Sequence, residues 1–306
     1  MKVLILGADG MLGHQLCLEF VRSSGVNVLA TTRHGDMPVE YKKVFPEFNN
    51  IKLYALPDAR DDTHVEKLIS EILPEVVINA IGVIKQSKLG KQALQCIDIN
   101  ARLPHLLAQL CELKKIKLIH FSTDCVFSGK LGCYQETDSP DPIDIYGKSK
   151  FLGEVSGEYV LTIRTSIVGW ELKGFRGLFE WFSRQRGRTI KGYTKVIYSG
   201  LTTTALAKLS IELLKKKSFI SGLWQIAGPS INKYNLLTQL KDTMGWQDIL
   251  IEPDDHFICD RSLCGKKFTE ETRLVTPSWD EMLEDLKSIW PQYKRLREIP
   301  QIGEKA

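Results

Sequence analysis

The stretch KVLILGADGMLG, residues 2–13, decides the fold of this chain. Its apolar first half is typical of a buried strand, and helical periodicity follows the last glycine. Gly7, Gly10 and Gly13 lie between them at the spacing Gly-x-x-Gly-x-x-Gly. Such a turn admits a pyrophosphate, which the amides and dipole of the helix N-terminus stabilise. We therefore predict a dinucleotide-binding turn in which Gly7, Gly10, Met11, Leu12 and Gly13 contact the cofactor.

The first 166 residues alternate between strand and helix patterns. A long helix is predicted at residues 92–113, and further buried strands are predicted at residues 26–32, 51–56, 75–82, 116–122 and 159–164. Continuous apolar strands joined by helices indicate a parallel sheet that is covered on both faces. The predicted fold class is α/β, a Rossmann-type doubly wound parallel sheet with a smaller C-terminal α/β substrate lobe.

The alternation breaks after residue 166, which suggests two lobes. Residues 1–166 form the predicted NADP-binding Rossmann domain, and a helix and a strand within residues 195–226 return to its sheet. Residues 167–194 and 227–306 form the predicted substrate lobe.

Composition excludes several classes of protein. The chain has 306 residues, 43% of them hydrophobic and 25% charged, which is typical of a globular protein with a sizeable core. A net charge of +4 without an aromatic–basic pattern gives no indication of nucleic-acid binding. The seven cysteines include no Cys-x-x-Cys pair, so we expect neither a metal site nor disulfides, and a cytoplasmic location. No apolar run reaches the length of a membrane span.

The end of the second strand bears on the choice of cofactor. NAD-binding folds favour an acidic residue there, which bonds the ribose 2′-hydroxyl. This chain has Arg33 instead, and a guanidinium suits the 2′-phosphate of NADPH. We predict NADPH, with NADH as the alternative. Asp58, after the third strand, is placed either to meet the adenine or to begin a helix.

The stretch STDC, residues 122–125, and the pair Tyr146–Lys150 predict the chemistry. Ser122 and Thr123 end the fifth strand, at the sheet edge where open α/β folds bind ligands. Tyr146 and Lys150 are one helical turn apart on the same face. A tyrosine pKa near 10 is a poor match to neutral pH, and a neighbouring ammonium is expected to lower it. We predict Thr123, Tyr146 and Lys150 as catalytic residues.

These motifs resemble those of the extended short-chain dehydrogenase/reductases, and more closely those of the RmlD-like dTDP-4-dehydrorhamnose reductase family. The matching stretches are the glycine turn, Asn79-Ala80, Ser122-Thr123-Asp124, Val126-Phe127, Gly129, Glu136-x-Asp138, Pro142, Tyr146-Gly147-Lys148-Ser149-Lys150, Gly153-Glu154, residues 163–166 and residues 222–228. The resemblance covers nearly the whole chain, strongly to about residue 166 and loosely afterwards.

The resemblance implies NADPH-dependent reduction of a nucleotide-activated 4-keto-6-deoxy sugar for surface polysaccharide synthesis. It implies that Lys150 holds the nicotinamide ribose, that Thr123 bonds the substrate carbonyl with Ser122 as the alternative hydroxyl, and that Asn79 and Ala80 lie near the cofactor. It also implies that the loop with Lys85 and Lys88 faces the sugar. The partner is a nucleotide-sugar, and a homodimer is one option for the assembly.

The substrate lobe is expected to hold the nucleotide diphosphate. Trp181 or Phe179 is the candidate for stacking on the base. The candidate contacts to the diphosphate are basic side chains, namely Arg176, Arg184, Lys191 and Arg261. Ile167 stands where the family often has a tryptophan against the sugar, and Trp170 follows further on. Gln15 stands in the region where some members carry a metal-binding glutamate, so no metal site is carried over.

Asp124 and Cys125 leave the reaction type open. Related dehydratases carry a glutamate after Thr-Asp, so Cys125 argues against dehydration. Epimerase/reductases of the GDP-fucose synthase type use a cysteine there with a later histidine, and this chain has no histidine between His120 and His256. Cys125 is therefore either a second acid/base, a wall of the substrate site or a small apolar filler. A third alternative is a non-catalytic NADP-binding regulatory subunit, because the methionine adenosyltransferase β subunit resembles the same family.

Overall fold

A computed structural model describes residues 1–85 and 89–299. Fourteen strands are assigned in this part of the chain: β1 (Lys2–Leu6), β2 (Asn27–Thr32), β3 (Lys52–Ala55), β4 (Val76–Asn79), β5 (Lys117–Phe121), β6 (Val160–Arg164), β7 (Ile167–Val168), β8 (Thr189–Tyr193), β9 (Val196–Tyr198), β10 (Leu201–Thr202), β11 (Gly222–Gln225), β12 (Ile231–Asn232), β13 (Leu250–Asp254) and β14 (Cys259–Asp260).

The same residues form eleven α-helices: α1 (Met11–Arg22), α2 (Val39–Val44), α3 (Asp62–Ile72), α4 (Ala93–Ile97), α5 (Leu103–Lys114), α6 (Ile145–Leu152), α7 (Leu178–Ser183), α8 (Thr203–Lys215), α9 (Lys233–Met244), α10 (Lys266–Thr272) and α11 (Trp279–Glu298). The helix predicted at residues 92–113 is divided, because a π-helical turn, Asp98–Arg102, separates α4 from α5.

Seven parallel strands form the central sheet in the order β11-β6-β5-β4-β1-β2-β3. The chain runs from β1 outward to β3 and then returns to the other side of β1 with β4. The change of direction between β1 and β4 leaves a crevice at the carboxyl ends of these strands, where such folds bind ligands. The predicted Rossmann-type α/β fold class is confirmed.

Two apolar layers cover the sheet. Leu12 and Leu16 of α1 share one core with Leu206 of α8 and Leu283 of α11. The core on the other face contains buried residues of α3 and α5, such as Leu68 and Leu107. Both faces are therefore shielded from water, as the unbroken apolar strands require.

The C-terminal part contributes to the central sheet and to three small sheets. Helix α8 packs on α1, and β11 extends the central sheet beside β6. The small sheets pair β7 with β10, β8 with β13, and β9 with both β12 and β14. Helix α11, which the sequence assigned to the substrate lobe, packs against α2 and α8. The division into two lobes stays a prediction.

Within the described residues, no helix combines the length and the apolar character that crossing a membrane requires.

Candidate active site

The glycine turn after β1 is shaped to take a phosphate. Gly7 has a φ of +86°, which favours glycine. A Cβ on Gly13 would lie 1.9 Å from the carbonyl oxygen of Gly7, so only glycine allows α1 to approach the turn this closely. Gly10 caps α1 without a side-chain hydrogen bond, and the first turn holds no acidic residue. Its amides are therefore available to an anionic ligand.

Charges at the ends of β2 and β3 suit a phosphorylated ribose. Arg33 is exposed and forms no ion pair within residues 1–85 and 89–299. The nearest acid along the chain, Asp36, is bound by Lys42 at 2.6 Å. Asp58 is held by the Arg60 guanidinium, with Arg33 a weaker influence, and these cations lower its pKa to about 2. Arg33 and Arg60 therefore both lie near Asp58, and the contact of Arg33 with a 2′-phosphate stays a prediction.

Asn79 shapes the loop beside the glycine turn. Its side-chain oxygen accepts a hydrogen bond from the Ile81 amide at 3.1 Å, and its amide nitrogen lies 3.2 Å from His120 Nδ1. The backbone of Ala80 and Ile81 then passes close to Gly7. Ala80 therefore lies beside the glycine turn, and the Asn79 side chain is bonded to protein partners.

Helix α6 carries Tyr146 and Lys150 into the crevice opposite the glycine turn. Asp144 caps the helix by accepting a hydrogen bond from the Gly147 amide at 2.8 Å. A Cβ on Gly147 would lie 2.2 Å from the carbonyl oxygen of Cys125, so this glycine allows α6 to pack against the turn that follows Thr123. The Thr123 side chain consequently lies beside the Tyr146 hydroxyl, and its influence lowers the pKa of Tyr146 against the larger effect of burial. Of the three predicted catalytic residues, Thr123 and Tyr146 therefore lie side by side, whereas the Lys150 ammonium extends to a different partner.

Lys150 is buried beside the end of β5. Its ammonium donates a hydrogen bond to the Phe121 carbonyl at 3.0 Å. Burial lowers the pKa of Lys150 to about 8, and the charge of Glu154 partly opposes this effect.

The pKa of Tyr146 is raised, and this corrects the expectation that Lys150 lowers it. Tyr146 is half-buried overall, and loss of hydration around the phenol is the largest cause of the raised pKa. Cys125, Asp124 and Asp144 raise the pKa further, and the Thr123 side chain lowers it. Tyr146 is therefore a protonated phenol at neutral pH. That state suits a proton donor, which is what reduction of a ketone requires.

Ser122 is committed to a buried ion pair. Its hydroxyl donates to Glu154 at 2.7 Å, and Arg164 donates to the same carboxylate at 2.7 and 2.8 Å. Thr123 instead accepts a hydrogen bond from the Cys125 amide at 3.2 Å and donates to Asp124 at 3.1 Å. Because only Thr123 also meets Tyr146, the geometry favours Thr123 over Ser122 as the substrate hydroxyl.

The turn with Cys125 forms the substrate side of the crevice. Arg261 donates to the Phe127 carbonyl at 2.9 Å and lies 3.8 Å from the Cys125 sulfur. Burial and then Asp124 raise the pKa of Cys125 to about 12, so the side chain is a neutral thiol. Lys85 forms an ion pair with Asp144 at 2.7 Å, which places its loop at the start of α6. Lys88 lies outside the described residues.

Several residues expected to hold the nucleotide lie elsewhere. Phe179 is fully buried in the main core and cannot stack on a base, and Trp170 is enclosed there too. Lys191 pairs with Asp254, and the Arg184 guanidinium donates to a backbone carbonyl. Phe179 was misassigned because α7 turns its ring into the core, where it packs beside Trp170.

Arg176 lies on the cofactor side. A Cβ on the next residue, Gly177, would be 3.6 Å from the sulfur of Met11, and Lys173 of the same segment contacts Asp9 in the glycine turn. The structure therefore does not bring Arg176 together with Arg261. Ile167 is half-buried in β7, directly after the sheet edge that carries the site.

Asn100, which no sequence motif indicated, joins three parts of the site. Its side chain bonds the Val83 amide and carbonyl at 2.9 and 3.0 Å and the Ser149 hydroxyl at 3.2 Å. A Cβ on Gly153 would lie 1.9 Å from the Asn100 carbonyl oxygen. The π-helical turn that contains Asn100 marks this residue in the structure, and the backbone rather than the sequence reveals that turn.

Within the described part of the chain, no group of three or more His, Cys, Asp or Glu side chains is arranged to hold a metal ion. Gln15, at the position considered for a metal, is buried and accepts a hydrogen bond from Tyr293 at 3.2 Å.

Comparisons with known proteins agree with this geometry. Residues 1–186 match the family model described as the RmlD substrate binding domain. The chain is 27% identical over 263 residues to the probable low-salt glycan biosynthesis reductase Agl14 of Haloferax volcanii, covering 82% of this chain and 83% of that one. It is 28% identical over 153 residues to the methionine adenosyltransferase 2 subunit beta of Mus musculus, covering 50% of this chain and 41% of that one.

Among solved structures, the chain is similar to a hypothetical dTDP-4-dehydrorhamnose reductase from Sulfolobus tokodaii. The TM-score is 0.73 at 26% identity, with 90% of this chain and 96% of that chain covered. The family model spans well over half of the sequence and includes the glycine turn, Thr123, Tyr146 and Lys150. The chain therefore belongs to the RmlD substrate binding domain family, the RmlD-like branch of the extended short-chain dehydrogenase/reductases.

Proposed function

We propose that this protein is an NADPH-dependent reductase of a nucleotide-activated 4-keto-6-deoxy sugar, acting in the synthesis of polysaccharide precursors. The observation that carries the proposal is the meeting of Tyr146 and Thr123 above the buried Lys150, at the carboxyl end of β5 and across from the glycine turn. The similarity to a glycan biosynthesis reductase over most of both chains supports the same activity.

The residues of the crevice fit NADPH. The close turn that Gly7 and Gly13 allow leaves the amides at the start of α1 for the pyrophosphate, and Arg33, which forms no ion pair in the described part of the chain, is available for the 2′-phosphate. When bound, the cofactor supplies a hydride to the carbonyl carbon of the sugar. NADH is the alternative donor, disfavoured because Asp36 is occupied by Lys42.

The protein's own side chains orient the substrate carbonyl and donate a proton to its oxygen. Thr123 donates a hydrogen bond that orients the substrate carbonyl, and Tyr146 gives its phenolic proton to the oxygen as negative charge develops. Lys150, whose ammonium reaches the Phe121 carbonyl rather than the phenol, holds the nicotinamide ribose, as the resemblance implies. General acid catalysis of this kind contributes about 10²–10⁴-fold to the rate. The high pKa of Tyr146 keeps its phenol protonated until the carbonyl oxygen accepts the proton.

A regulatory subunit is the second candidate, because the chain is similar to methionine adenosyltransferase 2 subunit beta over half its length. Thr123 and Tyr146 lie side by side, Lys150 follows one helical turn later, and retention of all three residues favours the enzyme.

The test is the loss of NADPH absorbance with freshly prepared ketosugar nucleotides, comparing the wild type with Tyr146→Phe. We expect turnover by the wild type and a loss of at least 10²-fold in the variant. NADPH binding without turnover of any ketosugar would support the regulatory subunit instead. Solvent deuterium entering C3 or C5 of the sugar would support epimerisation at Cys125.

A further inference from the structure

The three-stranded sheet β12-β9-β14 presents two cations to the turn that follows Thr123. Ile231 pairs with Tyr198 in an antiparallel register, and Cys259 pairs with Val196 in a parallel one. Because side chains alternate along strands, Tyr198 shares a sheet face with Lys233 and Arg261, which follow β12 and β14 directly. Contacts agree with this register, since Arg261 reaches Cys125 and the Lys233 ammonium covers the Tyr198 ring.

Lys233 has no hydrogen-bond acceptor of its own. Its ammonium lies 3.6 Å from the centre of the Tyr198 ring, and no ion pair or hydrogen bond to it occurs within residues 1–85 and 89–299. The residue is half-buried, and the Tyr198 ring covers one side of its ammonium. Burial lowers its pKa to about 8, while the nearby Asp124 and Cys125 raise it. The N–H donors of the ammonium are therefore available to a ligand.

The other polar groups around Lys233 have partners of their own. Asp124 accepts a hydrogen bond from Thr123 at 3.1 Å and forms no ion pair with Lys233 or Arg261 in the described part of the chain. Arg261 uses one nitrogen on the Phe127 carbonyl and directs another toward the Cys125 sulfur. Both cations therefore keep donors for a ligand on the substrate side of Cys125.

We propose that Lys233 and Arg261 form an anion-binding subsite that holds a negatively charged group of the substrate beside the reacting carbonyl. This inference rests on the proposed function and names the substrate chemistry of the same site. The shared chemistry is an oxyanion, which is either the phosphate on the anomeric carbon or a carboxylate on the sugar ring. Arginine and lysine both form charge-assisted hydrogen bonds with such groups.

The experiment measures dissociation constants by calorimetry in the presence of saturating NADP⁺. The probes are UDP, dTDP, UDP-glucose, dTDP-glucose and UDP-glucuronate. The test variant is Lys233→Met, and the matched control is Lys241→Met, at the far end of the same helix α9. We expect Lys233→Met to weaken binding about tenfold or more, as loss of one charge-assisted hydrogen bond predicts. The control variant and the affinity for NADP⁺ should be unchanged.

The probes distinguish the two oxyanions. Equal weakening of all nucleotides identifies the phosphate, and weakening confined to UDP-glucuronate identifies a carboxylate. Unchanged affinities for every probe that the wild type binds would overturn the inference and leave the reductase assignment intact. Failure of the wild type to bind any of the probes would overturn both.

A pH series on the wild type tests the subsite even if Lys233→Met does not fold. Affinity should fall as the pH rises through about 8, because Lys233 then loses its charge. The other groups that face it are Asp124, Cys125, Cys259, Tyr198 and Arg261. Lys150 also has a pKa of about 8 but lies at the cofactor, which is already saturating. A flat profile from pH 7 to 9.5 would overturn the inference.

Discussion

Replacing Glu154 with glutamine tests the support beneath the catalytic helix. Glu154 receives Ser122 on one oxygen and Arg164 on both, at 2.7 to 2.8 Å, and the side chains of Glu154 and Arg164 are only 8% and 2% exposed. Glutamine keeps the shape but removes the charge and places an N–H₂ group against a guanidinium donor. Breaking a buried ion pair from one side costs about 3–5 kcal/mol, because the remaining charge is left without compensation.

Two measurements follow from this single change. The free energy of unfolding should fall by about 3–5 kcal/mol, which lowers the melting temperature by roughly 6–15 °C in a chain of this size. Glu154 also raises the pKa of Lys150, so its loss should move that pKa below about 8. Since Lys150 acts as a cation, the alkaline limb of the pH–rate profile should shift to lower pH.

The control is Glu158→Gln, four residues further on, where the side chain is exposed. Thermal unfolding should leave this control within about 1–2 °C of the wild type, as is usual for surface substitutions. A Glu154→Gln protein that melts with the wild type and keeps its pH profile would refute the reasoning.

Three further changes test other parts of the site. Gly147→Ala places a Cβ 2.2 Å from the Cys125 carbonyl oxygen, so turnover should fall at least tenfold while NADPH binding persists; unchanged turnover would mean that α6 can shift freely. Arg33→Ser should raise the KM for NADPH about tenfold or more and leave the KM for NADH unchanged. Equal effects on both KM values would mean that Arg33 does not bind the 2′-phosphate. His14 is fully buried with its pKa lowered to about 4, so it is neutral in the folded protein and stability should decline by about 3 kcal/mol as the pH falls from 6.5 to 4. The variant His14→Asn should lose that part of the pH dependence in urea titrations, and an identical slope in both proteins would contradict the assignment.

The sequence predicted the central sheet well because its signals are local. Unbroken apolar runs and glycine spacing specify β1, the turn and α1 without knowledge of distant contacts. Tyr146 and Lys150 could be paired from helical spacing alone, and Gly147 explains why their helix reaches Thr123. The strand ends differ from the predicted ones by one to three residues, where propensity is least informative.

The sequence predicted the substrate side poorly because that side depends on long-range packing. Phe179 and Trp181 are aromatic residues of the same short helix, so the sequence does not distinguish them. Phe179 is nevertheless buried in the core, and Trp181 is partly exposed. Lys233 is far along the chain from Cys125, and only the register of β9 with β12 brings them together. The pKa of Tyr146 depends on how fully the phenol is enclosed, which the neighbouring lysine in the sequence does not reveal.

The most direct test of the central claim is the fate of deuterium from NADPH that carries deuterium at both positions of nicotinamide C4. With a nucleotide-activated 4-keto-6-deoxy sugar, wild-type protein should place one deuterium on C4 of the product sugar, and Tyr146→Phe should form at least 10²-fold less of it. A product that carries no deuterium at C4, or equal labelling by Tyr146→Phe, would contradict hydride transfer with Tyr146 as the acid.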